Sequence, residues 1–191
     1  MKACMMLALA TFLAVVMGVA ALPAQEKKDD DDLSTPGPEH KLLEALAGTY
    51  AAKVKAWVEP GKDPELSDGA MKRKMLYGGR YLLEEFEGKL GPEPLSGMGF
   101  VGFDKSRKKF VLAWIDSMST GFMTSEGTYD AAKKTFTYLS EDIDPTGKKM
   151  KGRDVLRIDS ADQQTFEVYR QPLEEGAKEF KVLEIIYTRK K

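Results

Sequence analysis

Apolar and polar residues alternate along most of this chain. Tyr50, Ala52, Val54, Ala56 and Val58 form one phase, and Ala51, Lys53, Lys55 and Trp57 form the other. A period of two places successive side chains on opposite faces, so the segment reads as a strand with one buried and one wet face. Similar short runs predict strands over residues 70–77, 81–87, 97–103, 109–116, 120–129, 135–142, 149–158, 165–170 and 179–189. Turn-forming clusters lie between them: Gly78-Gly79, GKLGPEP, FDKSRKK, YDAAKK, DPTGKK, IDSADQQ and PLEEGAK. One earlier segment, PGPEHKLLEALAG, has helical spacing instead. Leu42, Leu43 and Leu46 share a face, Pro38 suits the first turn, Glu39 suits the positive helix end, and Gly48 suits the C-terminal cap.

About ten short strands joined by tight turns define an all-β fold, an antiparallel meander preceded by one short helix. Left open, such a sheet exposes two long edges, and closure into an up-and-down β-barrel removes them. A sandwich is the alternative closure, but its Greek-key connections need a long crossover that the sequence lacks. A barrel of about eight to ten strands is filled by side chains or holds one small ligand. Ala52, Ala56, Gly97, Gly99 and Gly102 would leave volume, and Phe100, Phe110, Trp114, Phe122 and Phe136 are the rings able to fill it. Three sets of residues mix apolar and charged members on one phase. They are Arg80, Leu82, Glu84 and Phe86; Phe110, Leu112, Trp114 and Asp116; and Phe122, Thr124, Glu126 and Thr128. A carboxylate from any set that points inward needs a partner or water.

The N-terminus has a different character. Lys2 is followed by a run from Ala3 to Leu22 without charge, then by small residues up to Ala24. That order reads as a cleavable signal peptide over 1–24, which makes the protein secreted or periplasmic and leaves no stable membrane insertion after cleavage. An uncleaved anchor is the competing reading, because about 20 apolar residues span a bilayer. Residues 25–35 carry the run EKKDDDD and read as a disordered charged linker. Residues 36–191 then form the barrel domain. Cleavage removes Cys4, the only cysteine, so disulfides and thiolate chemistry are excluded. It also removes Lys2 and leaves 28 cationic against 30 anionic side chains, a balance without a nucleic-acid footprint.

PGPEHKLLEALAGTY, WIDSMSTGFMTSEGTYD and EFKVLEIIYTRK resemble DUF1579, a family of exported bacterial proteins named for a domain of unknown function. The resemblance spans about residues 36–190. It implies a lipocalin-like (calycin) barrel and supplies no reaction. In such barrels a Gly-x-Trp at the first strand is crossed by an Arg from the last. Gly48, Tyr50 and Arg189 stand at those places here, with Tyr for Trp, and would close the barrel floor. The family also resembles haem-binding nitrobindin barrels, whose proximal histidine comes late in the chain. This chain has one histidine, His40, on the helix, so no haem or other cofactor is expected.

Catalytic motifs are sparse. Ser117, Ser119 and Thr120 sit beside Asp116, but a triad also needs a base and a group that orients it. No His-x-x-x-His spacing suggests a metal, and GMGFVGF lacks the helix of a phosphate loop. The sequence therefore reads best as a barrel binding a small apolar or amphipathic ligand. Phe110, Trp114 and Phe122 would line the wall, while Asp116, Glu126 and Arg80 would orient a polar group. A filled barrel acting on a protein partner, or an enzyme using Asp116, Ser117 and Glu126 at the mouth, are the alternatives. N-terminal sequencing of protein recovered from the cell envelope should read Gln25 first; a chain still beginning at Met1 would refute cleavage.

Overall fold

The computed structural model describes residues 32–144 and 146–191. The expected signal peptide and most of the charged linker lie outside the described residues. Helix α1 (Pro38–Glu44) comes first. The strands are β1 (Gly48–Ala56), β2 (Glu65–Leu76), β3 (Tyr81–Leu90), β4 (Glu93–Asp104), β5 (Lys109–Asp116), β6 (Met123–Asp130), β7 (Thr135–Ile143), β8 (Lys149–Ile158), β9 (Gln163–Pro172) and β10 (Phe180–Arg189). Each pairs antiparallel with its chain neighbour, and β1 pairs with β10 from Tyr50↔Arg189 to Ala56↔Leu183. The sheet is therefore a closed ten-strand barrel with no free edge, not a sandwich. β2 begins earlier than its apolar residues suggest, because the polar ELSDG run pairs with β1 as far as Ala56↔Glu65. β6 begins later, because residues 117–122 turn back, with Ser117 N–H donating to Ser96 O and Met118 N–H to Asp116 Oδ1.

The two ends of the barrel differ. Helix α1 plugs one end, driving Leu43 and Leu46 among Leu82, Val101, Phe110 and Phe136. Both leucines are almost wholly buried, which stabilises the plug by about 1.5–3 kcal/mol for each side chain. His40 holds the helix start, its Nδ1 accepting the Gly37 N–H at 2.9 Å while its ring meets Phe103 edge-on. Burial holds its pKa below the ordinary histidine value, which favours the neutral ring that this bond requires. Gly48 is not the helix cap: the helix ends at Glu44 with Ala45 as its cap, and Gly48 opens β1 at φ +146°. A Cβ there would lie 2.1 Å from Arg189 Nη1. The Arg189 guanidinium packs over the Tyr50 ring at 4.8 Å and donates to Ala47 O, tying the last strand to the helix. Residues 32–35, the end of the expected linker, form a turn on the outer wall, held by Lys105 on Asp32 O and by Arg80 on Ser34 O.

Above the plug lies a buried polar network. Arg73 donates from Nε to Glu84 and from Nη1 to Gln164 Oε1 at 2.6 Å, with its guanidinium over the Tyr187 ring at 4.7 Å. Gln164 Nε2 donates to Tyr50 Oη, which donates to Leu46 O. Burial works against the charge on Arg73, and Glu84 outweighs it, holding the guanidinium more basic than usual. One network thus links β2, β3, β9, β1 and the helix plug. Glu84→Ala should cost about 3–5 kcal/mol in denaturant unfolding, because it strands a buried cation. The double variant Arg73→Met/Glu84→Leu should lose less than Glu84→Ala alone, and equal losses would refute the pairing.

Candidate functional site

The opposite end of the barrel carries no helix. Register identifies its inward side chains: Leu90 on β3, Leu95 on β4, Trp114 on β5, Met123 on β6 and Leu183 on β10. All five are only half-buried, whereas inward Leu82, Phe110 and Phe136 at the plugged end are 0–3% exposed. Solvent therefore reaches the inner wall from this end.

Two features of that wall stand out, and glycine seats both. A Cβ on Gly97 would lie 2.2 Å from Trp114 Cζ2, and one on Gly99 would lie 2.8 Å from Cε3. The indole lies against β4 in the space those side chains would take, half-buried and packed on the inner-wall cluster that includes Val54, Met71 and Phe86. Its Nε1 donates to Asp116 Oδ2 at 3.0 Å. Arg170 stands on the far side, on β9. Its Nε pairs with Asp142 at 2.9 Å and its Nη1 with Asp154 at 2.7 Å, while Ser140 Oγ donates to Asp142. Gly152 seats this cluster, since a Cβ there would lie 2.1 Å from Ser140 Oγ and 2.6 Å from Asp142 Oδ2. Burial pushes the Asp154 carboxyl up despite the opposing pull of Arg170. Between the two features, inward on β6, lies Ser125, 6% exposed. Its Oγ is buried with no hydrogen-bond partner among the described residues.

The structure brings together only part of the set expected from sequence. Trp114 and Asp116 are adjacent on the inner wall. Phe110 is also inward, but it belongs to the plugged end and packs on Phe103 and Phe136. Arg80 does not reach the lumen: it sits in the β2–β3 turn and donates to Tyr77 O and Ser34 O. Glu126 faces outward and pairs with Arg107, because Ser125 and Gly127 hold the inward phase of β6. Phe122 lies in the β5–β6 loop, 71% exposed. Ser117 accepts the Ser96 N–H at the open rim, far from His40 at the plugged end, so the two do not form a nucleophile–base pair. The sequence reading missed Asp142, Asp154, Arg170, Ser125 and Ser140. For Asp154, Arg170, Ser140 and Asp142 the signal was present as charged or hydroxyl residues on the same phase as Leu156, Val168 and Tyr138, while Ser125 shares its phase with Met123 and Tyr129. Among the described residues no group of three or more His, Cys, Asp or Glu side chains could hold a metal, and no helix is long and apolar enough to cross a membrane.

A plugged, single-ended antiparallel barrel is thus the class that fold and site define. Residues 35–189 match a family described as a protein of unknown function, DUF1579, and the chain belongs to that family. No curated protein matches it in sequence. Among solved structures, it resembles Rv2717c from M. tuberculosis at 16% identity and a TM-score of 0.60, over 82% of this chain and 100% of that one. It also resembles the S-type phycobiliprotein lyase CPES from Guillardia theta at 10% identity and a TM-score of 0.55, over 80% of this chain and 93% of that one. At these identities the likeness shows the barrel fold alone.

Gly97→Ala should displace the indole from its seat. In a Trp57→Phe background, where Trp114 is the sole indole, its emission should shift and stability should fall by about 1–3 kcal/mol. Unchanged emission would show that the ring does not rest on Gly97.

Proposed function

We propose that this protein binds one small apolar or amphipathic molecule in its barrel and does so after export from the cytoplasm. A single observation carries the reading. Leu90, Leu95, Trp114, Met123 and Leu183 face inward yet are half-buried, so apolar wall is left for a ligand to cover at one end of a barrel sealed at the other. Covering such surface is favourable by roughly 25 cal/mol per Å². A few fixed polar groups among apolar walls, here Asp116, Ser125 and the Arg170 cluster, are what orient a ligand in a pocket of this kind. The uncharged run from Ala3 to Leu22 and the small residues up to Ala24 support export to the periplasm or beyond.

A second reading has its own observation. Outside the barrel, Tyr81, Met98, Phe100 and Ile115 are 36–46% exposed. Of these, Tyr81 and Phe100 border, with Val111 and Ala113, a groove of about 510 Å³ beside Leu33. Apolar patches of that kind serve protein partners. Native mass spectrometry of protein purified from its own envelope fraction separates the two. Extra mass of small-molecule size, lost on denaturation and absent after Trp114→Ala, is expected for the lumen reading. Repeated apo masses together with a co-purifying protein lost on Phe100→Ser would favour the outer wall.

A further inference from the structure

The polar groups of the open half are unevenly matched. Asp116, Asp142 and Asp154 face inward there, and Arg170 is the one cation on the inward positions of that half among the described residues. Arg170 already spends its guanidinium on two carboxylates, Nε on Asp142 and Nη1 on Asp154. An anionic headgroup arriving at Arg170 would meet a net negative wall.

Ser125 is the independent observation. It is 94% buried on the inner wall, and its Oγ lacks a partner. A hydroxyl left so costs free energy until something bonds to it. Gly127, one inward step toward the plug, lies under the Tyr138 ring: a Cβ there would be 2.6 Å from Tyr138 Cδ1. The next inward residues toward the mouth are Ser125 on β6 and Ser140 on β7, and Ser140 leads directly to Asp142. Hydroxyl oxygens and carboxylates are therefore contiguous, and all of them can accept. On the neighbouring strand β5, where Leu112 pairs with Ser125 and Trp114 with Met123, the half-buried indole of Trp114 offers apolar contact and attracts cations.

Resting on the lumen reading above, we propose that the bound molecule carries a protonated amine on an apolar body. The amine donates to Ser125 Oγ and to the carboxylates of Asp142 and Asp154, and the body lies along the Trp114 face.

The test uses three probes of equal chain length, dodecylammonium, dodecanol and dodecanoate, each below its micelle-forming concentration. They are titrated into the full chain carrying Trp57→Phe, with Trp114 emission and calorimetry as readouts. Dodecylammonium should bind about tenfold more tightly than dodecanoate. Asp142→Asn should reduce that preference about threefold while Asp154 keeps Arg170 paired. Ser125→Ala should weaken the ammonium about threefold, leave dodecanol unchanged and raise the melting temperature, because it removes an unpaired buried hydroxyl. A purely structural Ser125 would not separate the two probes. Dodecanoate binding as tightly as dodecylammonium, or Ser125→Ala affecting both probes equally, would overturn the amine assignment and leave the lumen reading standing. If none of the three bound, both would fall.

Discussion

A guanidinium buried in the middle of a β-barrel sets the terms for the rest of this structure. Arg73 is too costly to leave in an apolar interior without partners, so Glu84, Gln164 and the rings of Tyr187 and Tyr50 are arranged around it. Satisfying it fixes the relative positions of strands that are far apart in sequence. Tyr50, recruited through Gln164, in turn receives the helix through Leu46 O. The plug below the network is dry and dense. Above it the wall opens to solvent, and the network separates the two halves.

The open half keeps its volume by an economy of backbone. Rings and ions that would otherwise crowd the lumen are laid against strands that have no side chain at the contact point: Trp114 on Gly97 and Gly99, the Arg170 cluster on Gly152, Phe86 on Gly69 and Gly88. Glycine in a strand usually weakens it, and here each one marks a close approach. The same device that clears the lumen also fixes the orientation of its polar groups. An amine-bearing amphiphile would use both consequences at once, with its body on the indole and its charge on an excess of carboxylate.

Much of the fold was legible in the sequence because a period-two pattern survives wherever one face is apolar. Ten strands, one helix and closure follow from it, and the phase containing Phe110, Leu112, Trp114 and Asp116 does face inward. The site was less legible, for a physical reason. On β6 the central inward positions, between Met123 and Tyr129, are Ser125 and Gly127, small residues that carry no apolar signal, so the outward set with Phe122 and Glu126 looked equally plausible. Arg170, Asp142 and Asp154 lie on three different strands, and only register across β7, β8 and β9 brings them together. Glu84 could be seen as an acid in need of a partner, but Arg73, eleven residues earlier, could be assigned to it only through the β2–β3 pairing. Arg80 has the right charge and the wrong place, because the Gly78-Gly79 turn takes it out of the barrel.

The seam between β1 and β10 joins the first strand of the barrel to the last. Every other strand pairing is made between neighbours in sequence, but this one closes a loop of nearly the whole domain. Contacts of that span are slow to form, because chain entropy is lost before they return any stability. Until Phe180–Arg189 has left the ribosome, β1 has an unpaired edge and Tyr50 lacks the arginine that covers it. A nascent or C-terminally clipped chain is therefore an open sheet with unpaired edges on both β1 and β9, the form most prone to pair with another copy. Completion of synthesis and protection from aggregation coincide in the same ten residues.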